Sequence, residues 1–221
     1  MRPRDLTRYC RDLGWRDAPD LPDAALIPSQ TTATDCGDLE DLAGLIANCN
    51  DCRLSEKRCS VVPGEGDPRA RVLFIGEGPG AEEDRTGRPF VGQAGQLLDG
   101  MIFALGFERG QVFIGNVVKC RPPGNRDPED DEMNACAPFL ERQIELIGPQ
   151  VIVALGRVAA RRLTGTDKTM GALRGRWAAY GGTPLLATYH PAYLLRSPLA
   201  KREVWQDLKA VRKRLDDESN S

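Results

Sequence analysis

Val72-Leu73-Phe74-Ile75-Gly76-Glu77-Gly78-Pro79-Gly80 is the stretch whose reading decides the fold. Four apolar residues in a row, bounded by turn formers, suit a short strand covered on both faces. The Gly/Pro-rich run after them breaks regular structure, so it reads as a loop at the carboxyl end of that strand. Ligands of open parallel sheets sit in the crevice at such strand ends.

Downstream, Ala94, Leu97, Leu98, Met101, Ile102 and Leu105 recur with helical spacing and predict a helix stopped by Gly106. Val112–Val118 is the second predicted strand. A polar loop, Lys119–Pro128, leads into a helix over Asp130–Ile147, then a third strand over Val151–Leu155 and a helix to Leu163. Gly165–Gly175 reads as loop and Arg176–Tyr180 as a short edge strand. Leu185–Tyr189 forms the next strand, ending on His190-Pro191-Ala192-Tyr193-Leu194-Leu195-Arg196. The last helix runs from about Leu199 to Leu215, with Val204, Leu208, Val211 and Leu215 on its inner face. Strands alternating with helices predict a three-layer α/β/α sandwich around a mainly parallel, four-stranded sheet.

Upstream, residues 1–38 have linker composition (Pro19, Pro22, Pro28, then a polar run) apart from one amphipathic piece, Leu6–Trp15, and read as an accessory arm. Asp38 is placed to cap a helix through Leu39, Leu42, Leu45 and Ile46 that delivers Cys49 and Cys52. The expected organisation is an arm over 1–38, one domain over 39–217 and a tail over 218–221.

With 221 residues, 41% hydrophobic and 28% charged, the chain suits one globular core. No apolar run reaches membrane-spanning length and the first residues lack the apolar core of a signal peptide, so the expected location is the cytoplasm and the expected state a monomer. The net charge of −2 favours no partner, but residues 196–214 hold seven Lys/Arg against two acids. That basic helix suits either a solvated face or a phosphate backbone.

Seven cysteines without a secretion signal argue against a disulfide framework. Cys49 and Cys52 form a C-x2-C pair, and Cys120 and Cys136 stand with fifteen residues between them. Such a set suits tetrahedral zinc or the corners of a [4Fe–4S] cluster, and spacing does not separate the two. Cys10, Cys36 and Cys59 are left as simple thiols.

Three strand ends offer a polar group: Glu77 with its glycines after the first, Asn116 after the second, and His190, the single histidine, after the last. Phe90 supplies a flat apolar face. A carboxylate, an amide, an imidazole, backbone N–H groups and a stacking face together suit a planar heterocycle with amide edges, such as a nucleobase.

Gly76–Gly80, Gly87–Gly95, Asn116–Pro123 and His190–Arg196 together resemble the motifs of family 4 uracil-DNA glycosylases, and the resemblance spans about residues 46 to 215. It implies a DNA repair enzyme that flips deoxyuridine out of single- or double-stranded DNA and hydrolyses its N-glycosidic bond. By motif position, Phe90 stacks on uracil and Asn116 pairs with its N3 and O4 edge. His190 stabilises charge on O2, and Gly78 and Pro79 line the base. Leu194, Leu195 and Arg196 enter the duplex. Cys49, Cys52, Cys120 and Cys136 hold a [4Fe–4S] cluster. Better-known uracil glycosylases carry a water-positioning aspartate where this chain has Gly78, which leaves Glu77 as the nearest substitute. A related branch crosslinks to DNA through a histidine after the second strand; this chain has none there, which implies turnover. Two other readings compete: a silent nucleic-acid-binding or polymerase-associated protein of the same fold, and an electron-transfer protein centred on the cluster.

Overall fold

The structure, a computed structural model, describes residues 32–219. The predicted helix over Leu6–Trp15 and Cys10 lie outside the described residues. The strands are β1 (Glu65–Gly66), β2 (Val72–Gly76), β3 (Phe113–Asn116), β4 (Val151–Leu155), β5 (Trp177–Tyr180) and β6 (Thr183–Thr188). The helices are α1 (Leu39–Ala47), α2 (Ala81–Thr86), α3 (Gln93–Ala104), α4 (Asp130–Ile147), α5 (Arg157–Thr164), α6 (Met170–Leu173), α7 (Pro191–Arg196) and α8 (Lys201–Ser219).

The sheet order is β1-β3-β2-β4-β6-β5. The inner four strands are parallel and are the four expected from sequence; the two edges, β1 and β5, pair antiparallel. Six strands therefore replace the four expected. The addition at one edge, Trp177–Tyr180, is the short edge strand expected over Arg176–Tyr180. The addition at the other is a two-residue strand in a stretch too short to show any periodicity.

Strand alternation divides the core into two layers. Leu73 and Ile75 of β2 pack with Leu42 and Ile46 of α1, Phe139 and Ile144 of α4, and Ala159 and Leu163 of α5. Val72 and Phe74 face the other way, against Leu98 and Ile102 of α3 and Val204, Leu208 and Val211 of α8. The result is the expected α/β/α sandwich. Asp38 caps α1 as read, accepting from the N–H groups of Glu40 (2.9 Å) and Asp41 (2.8 Å). Ala33 and Cys36, within the stretch of linker composition, are buried in the first layer, and Arg142 donates to the Cys36 carbonyl at 2.6 Å.

Candidate active site

The parallel strands end side by side, and their ends frame a cleft of about 430 Å³. Glu77, Gly78, Pro79, Phe90, Asn116, His190 and Arg196 all line it, so the groups read from separate motifs converge.

Asn116 closes β3 directly opposite Gly76 of β2. A Cβ on Gly76 would stand 2.5 Å from both the Asn116 Oδ1 and the Phe90 ring, so only glycine lets amide and ring meet at the floor. Asn116 is buried, and its Oδ1 is the one buried side-chain oxygen or nitrogen without a protein partner among the described residues. A buried acceptor left open costs free energy unless a ligand satisfies it.

Phe90 holds the left-handed backbone conformation (φ +50°), which is costly for an aromatic residue. Its neighbours over-determine it. Glu83 Oε1 accepts from Val91 N–H (2.9 Å) and Gly92 N–H (3.1 Å), and Arg109 donates to the Pro89 carbonyl at 2.5 Å. The ring is thereby fixed 5.5 Å from the His190 ring, centroid to centroid.

His190 caps α7, its Nδ1 accepting from Ala192 N–H at 3.1 Å, and Pro191 at the first helical position fixes the chain direction. Gly156, at φ +89°, passes so close that a Cβ there would lie 2.9 Å from His190 Cβ. Burial, helped by Arg196, lowers the imidazole pKa to about 4. A neutral ring whose Nδ1 accepts must carry its proton on Nε2, as a donor. Glu77 shifts the other way: burial, with Asp127 nearby, raises its carboxyl to about 7. Arg157 opposes that rise and is itself paired with Asp127.

Sequence reading overlooked part of the wall. Glu83, Asn125, Arg126, Asp127 and Tyr193 also line the cleft. Asn125 holds a left-handed φ of +55°, its Oδ1 accepting from Arg121 at 2.8 Å. The Gly124-Asn125 pair was the available signal, since both residues tolerate that conformation. One assignment needs correction. Leu194, read as entering DNA, is 2% exposed and packs into the α3–α8 layer, because adjacent helical positions point about 100° apart. Leu195 is 45% exposed.

On the other side of the Asn116–Pro122 segment, Cys49, Cys52, Cys120 and Cys136 line one small cavity. Burial raises the Cys49 and Cys136 thiols to about 11, and raises Cys120 as well. Arg58 donates to Cys120 Sγ at 3.1 Å and Lys119 N–H to Cys136 Sγ at 3.3 Å. Arg53 and Arg126 both pair with the fully buried Glu132, at 3.0 and 2.6 Å, binding the C-x2-C arm to the loop that walls the cleft. Among the described residues, no three potential ligands are arranged for a single metal ion.

Fold and site thus define an α/β protein whose strand-end cleft brings an amide, an imidazole, a carboxylate and an aromatic face together. Residues 63–209 match the model of the uracil DNA glycosylase superfamily. The chain is 45% identical over 184 residues to the type-4 uracil-DNA glycosylase of Sulfurisphaera tokodaii, covering 79% of this chain and 83% of that one. It is 44% identical over 180 residues to that of Thermotoga maritima (79% and 93%), and 37% identical over 149 residues to the type-5 enzyme of Thermus thermophilus (58% and 68%). The chain belongs to the uracil DNA glycosylase superfamily, in its type-4 branch.

Proposed function

We propose that the cleft excises uracil from DNA by hydrolysis, leaving an abasic site. One observation carries this reading: the open, buried Oδ1 of Asn116 beside the Phe90 ring and His190. Uracil presents a donor at N3 and an acceptor at O4, which a side-chain amide satisfies together. Cytosine presents an acceptor at N3 and a donor at O4's position, so it would oppose both groups. Phe90 offers the stacking face for the flipped base.

As the C1′–N1 bond breaks, its electron pair moves onto uracil and negative charge grows on O2. The Nε2–H of neutral His190 donates there, a fixed dipole that needs no protonation step. Water adds at C1′ and loses a proton to the Glu77 carboxylate, whose pKa near 7 suits a base at neutral pH. Glu77 takes this role although the neighbouring position is Gly78. Leu195 and Arg196, at the rim, reach toward the duplex where the base has left, and the basic face of α8 lies along phosphates. The partner is uracil-containing DNA, and the enzyme acts as a monomer. Among the described residues no helix is long and apolar enough to cross a membrane.

We infer that Cys49, Cys52, Cys120 and Cys136 hold a [4Fe–4S] cluster. The donor set fits: four thiols on one cavity in an all-sulfur arrangement, with Arg58 and the Lys119 N–H aimed at sulfur. The cluster's contribution is structural, tying the 49–52 arm to the loop between β3 and α4. Broad visible absorbance with about four irons per chain supports this; zinc in their place refutes it. For the activity, the test is alkali-labile strand breakage at uracil in an oligonucleotide, retained by wild type and lost in Asn116→Ala and His190→Ala.

A further inference from the structure

The buried side chain of Lys119 has no part in the chemistry above. Lys119 is 1% exposed, and its amine donates to the Asn116 carbonyl at 2.8 Å and to Gln143 Oε1 at 2.5 Å. Gln143 donates in turn to the Pro63 carbonyl at 2.6 Å. The Lys119 carbonyl accepts from Val62 N–H at 2.8 Å. An apolar side chain of the same length would fill the space at far smaller desolvation cost, so the amine itself is what the site requires.

The sheet register explains the requirement. β1 pairs with β3 as Glu65↔Ile114 and Gly66↔Phe113. β1 ends at Glu65, and Val62 N–H reaches the Lys119 carbonyl, two residues past where that register would set it, so Pro63 lies where the ladder breaks. Proline has no N–H, so it cannot supply a rung to the Asn116 carbonyl. Lys119 donates to that carbonyl instead, and Gln143 satisfies the carbonyl of Pro63. Two side chains thus hold the Asn116 and Pro63 carbonyls at the point where the β1 ladder has ended.

We propose that Lys119 is a positioning residue of the reaction. It holds the Asn116 backbone, and through it the amide, at the angle that uracil recognition requires. This rests on the reading of Asn116 as the uracil-reading residue.

A double-mutant cycle in single-turnover uracil release tests it, with Lys119→Met, Asn116→Ala and the pair. If Lys119 acts through Asn116, Lys119→Met slows release about 10- to 100-fold in the wild-type background and less than about threefold once Asn116 is alanine. Equal losses in both backgrounds, or no loss in wild type, overturn the proposal, since a merely structural role would multiply through. Should Lys119→Met fail to fold, Gln143→Leu, which frees the amine from its second anchor, enters the same cycle with the same two outcomes. A folded wild type that releases no uracil sinks the glycosylase reading itself. Equal losses in an active wild type sink only the role of Lys119.

Discussion

The base cleft and the thiol cavity flank the same short segment, with Asn116 facing one and Cys120 the other. In the cleft, burial moves His190 and Glu77 in the directions that the proposed roles need. It keeps His190 neutral as a donor and brings Glu77 near 7 as a base. In the thiol cavity the same desolvation works against the task, since it pushes Cys49 and Cys136 to about 11 when a metal ligand must be a thiolate. The cleft is therefore organised by protein groups alone. On the proposed reading, the four thiols would become a ligand set only as bound iron displaced their protons.

The sharpest way to break the comparison is to remove the cleft's own groups. His190→Ala is expected to lower kcat/KM for uracil release about 10³-fold while leaving visible absorbance and Tm close to wild type. A comparable loss of absorbance would mean that the two regions are not separable.

Cys136→Ala should do the reverse. It is expected to abolish the visible absorbance and lower Tm by roughly 10 °C, with activity falling in proportion to the unfolded fraction. A colourless variant with unchanged Tm would remove the structural role of the thiol site.

Glu77→Gln separates activity from stability. With its carboxyl raised to about 7, wild-type kcat/KM should fall roughly tenfold per pH unit below 7 and level off above it. His190, lowered to about 4, should add no inflection from pH 5 to 9. The sign for stability is opposite. A carboxyl whose folded pKa lies above its unfolded value stabilises the fold at low pH, and that contribution is lost as pH rises through 7. Glu77→Gln should therefore lose the acid limb of the rate profile and gain Tm at pH 8. An acid limb that survives in this variant assigns the base elsewhere.

The smallest expected effect concerns the rim. Leu195→Ala should slow release from duplex DNA about three- to tenfold and leave single-stranded substrate nearly unchanged, because only the duplex must be held open. Leu194→Ala should instead lower Tm without this substrate dependence, as a buried leucine does.

The two regions also differed in how far sequence alone revealed them. The parallel strands were legible because four short apolar runs, each closed by Gly or a polar residue, have few other readings. α4 was read as a helix from about Asp130 to Ile147, the span it has. Glu77, Asn116 and His190 were legible because they lie at or just past the ends of those strands, whereas Phe90 sits in the loop between α2 and α3. Elements without an apolar stripe were missed. Ala81–Thr86 is a helix of polar residues, α7 begins at a proline that reads equally as a turn, and β1 is two residues long. Leu194 and Leu195 are identical in sequence, and only the rotation of α7 sends one inward. The Lys119 amine gave no signal, because composition expects lysine at the surface and only the fold buries it against the Asn116 carbonyl.

Uracil release by the cleft is tested most directly by incubating the purified full-length protein with a single-stranded oligonucleotide carrying one uracil, followed by alkali. Strand breakage at the uracil, absent from the same oligonucleotide with cytosine there and abolished by Asn116→Ala, is the predicted result. An intact uracil strand after treatment with folded wild-type protein, or breakage undiminished in Asn116→Ala, would contradict it.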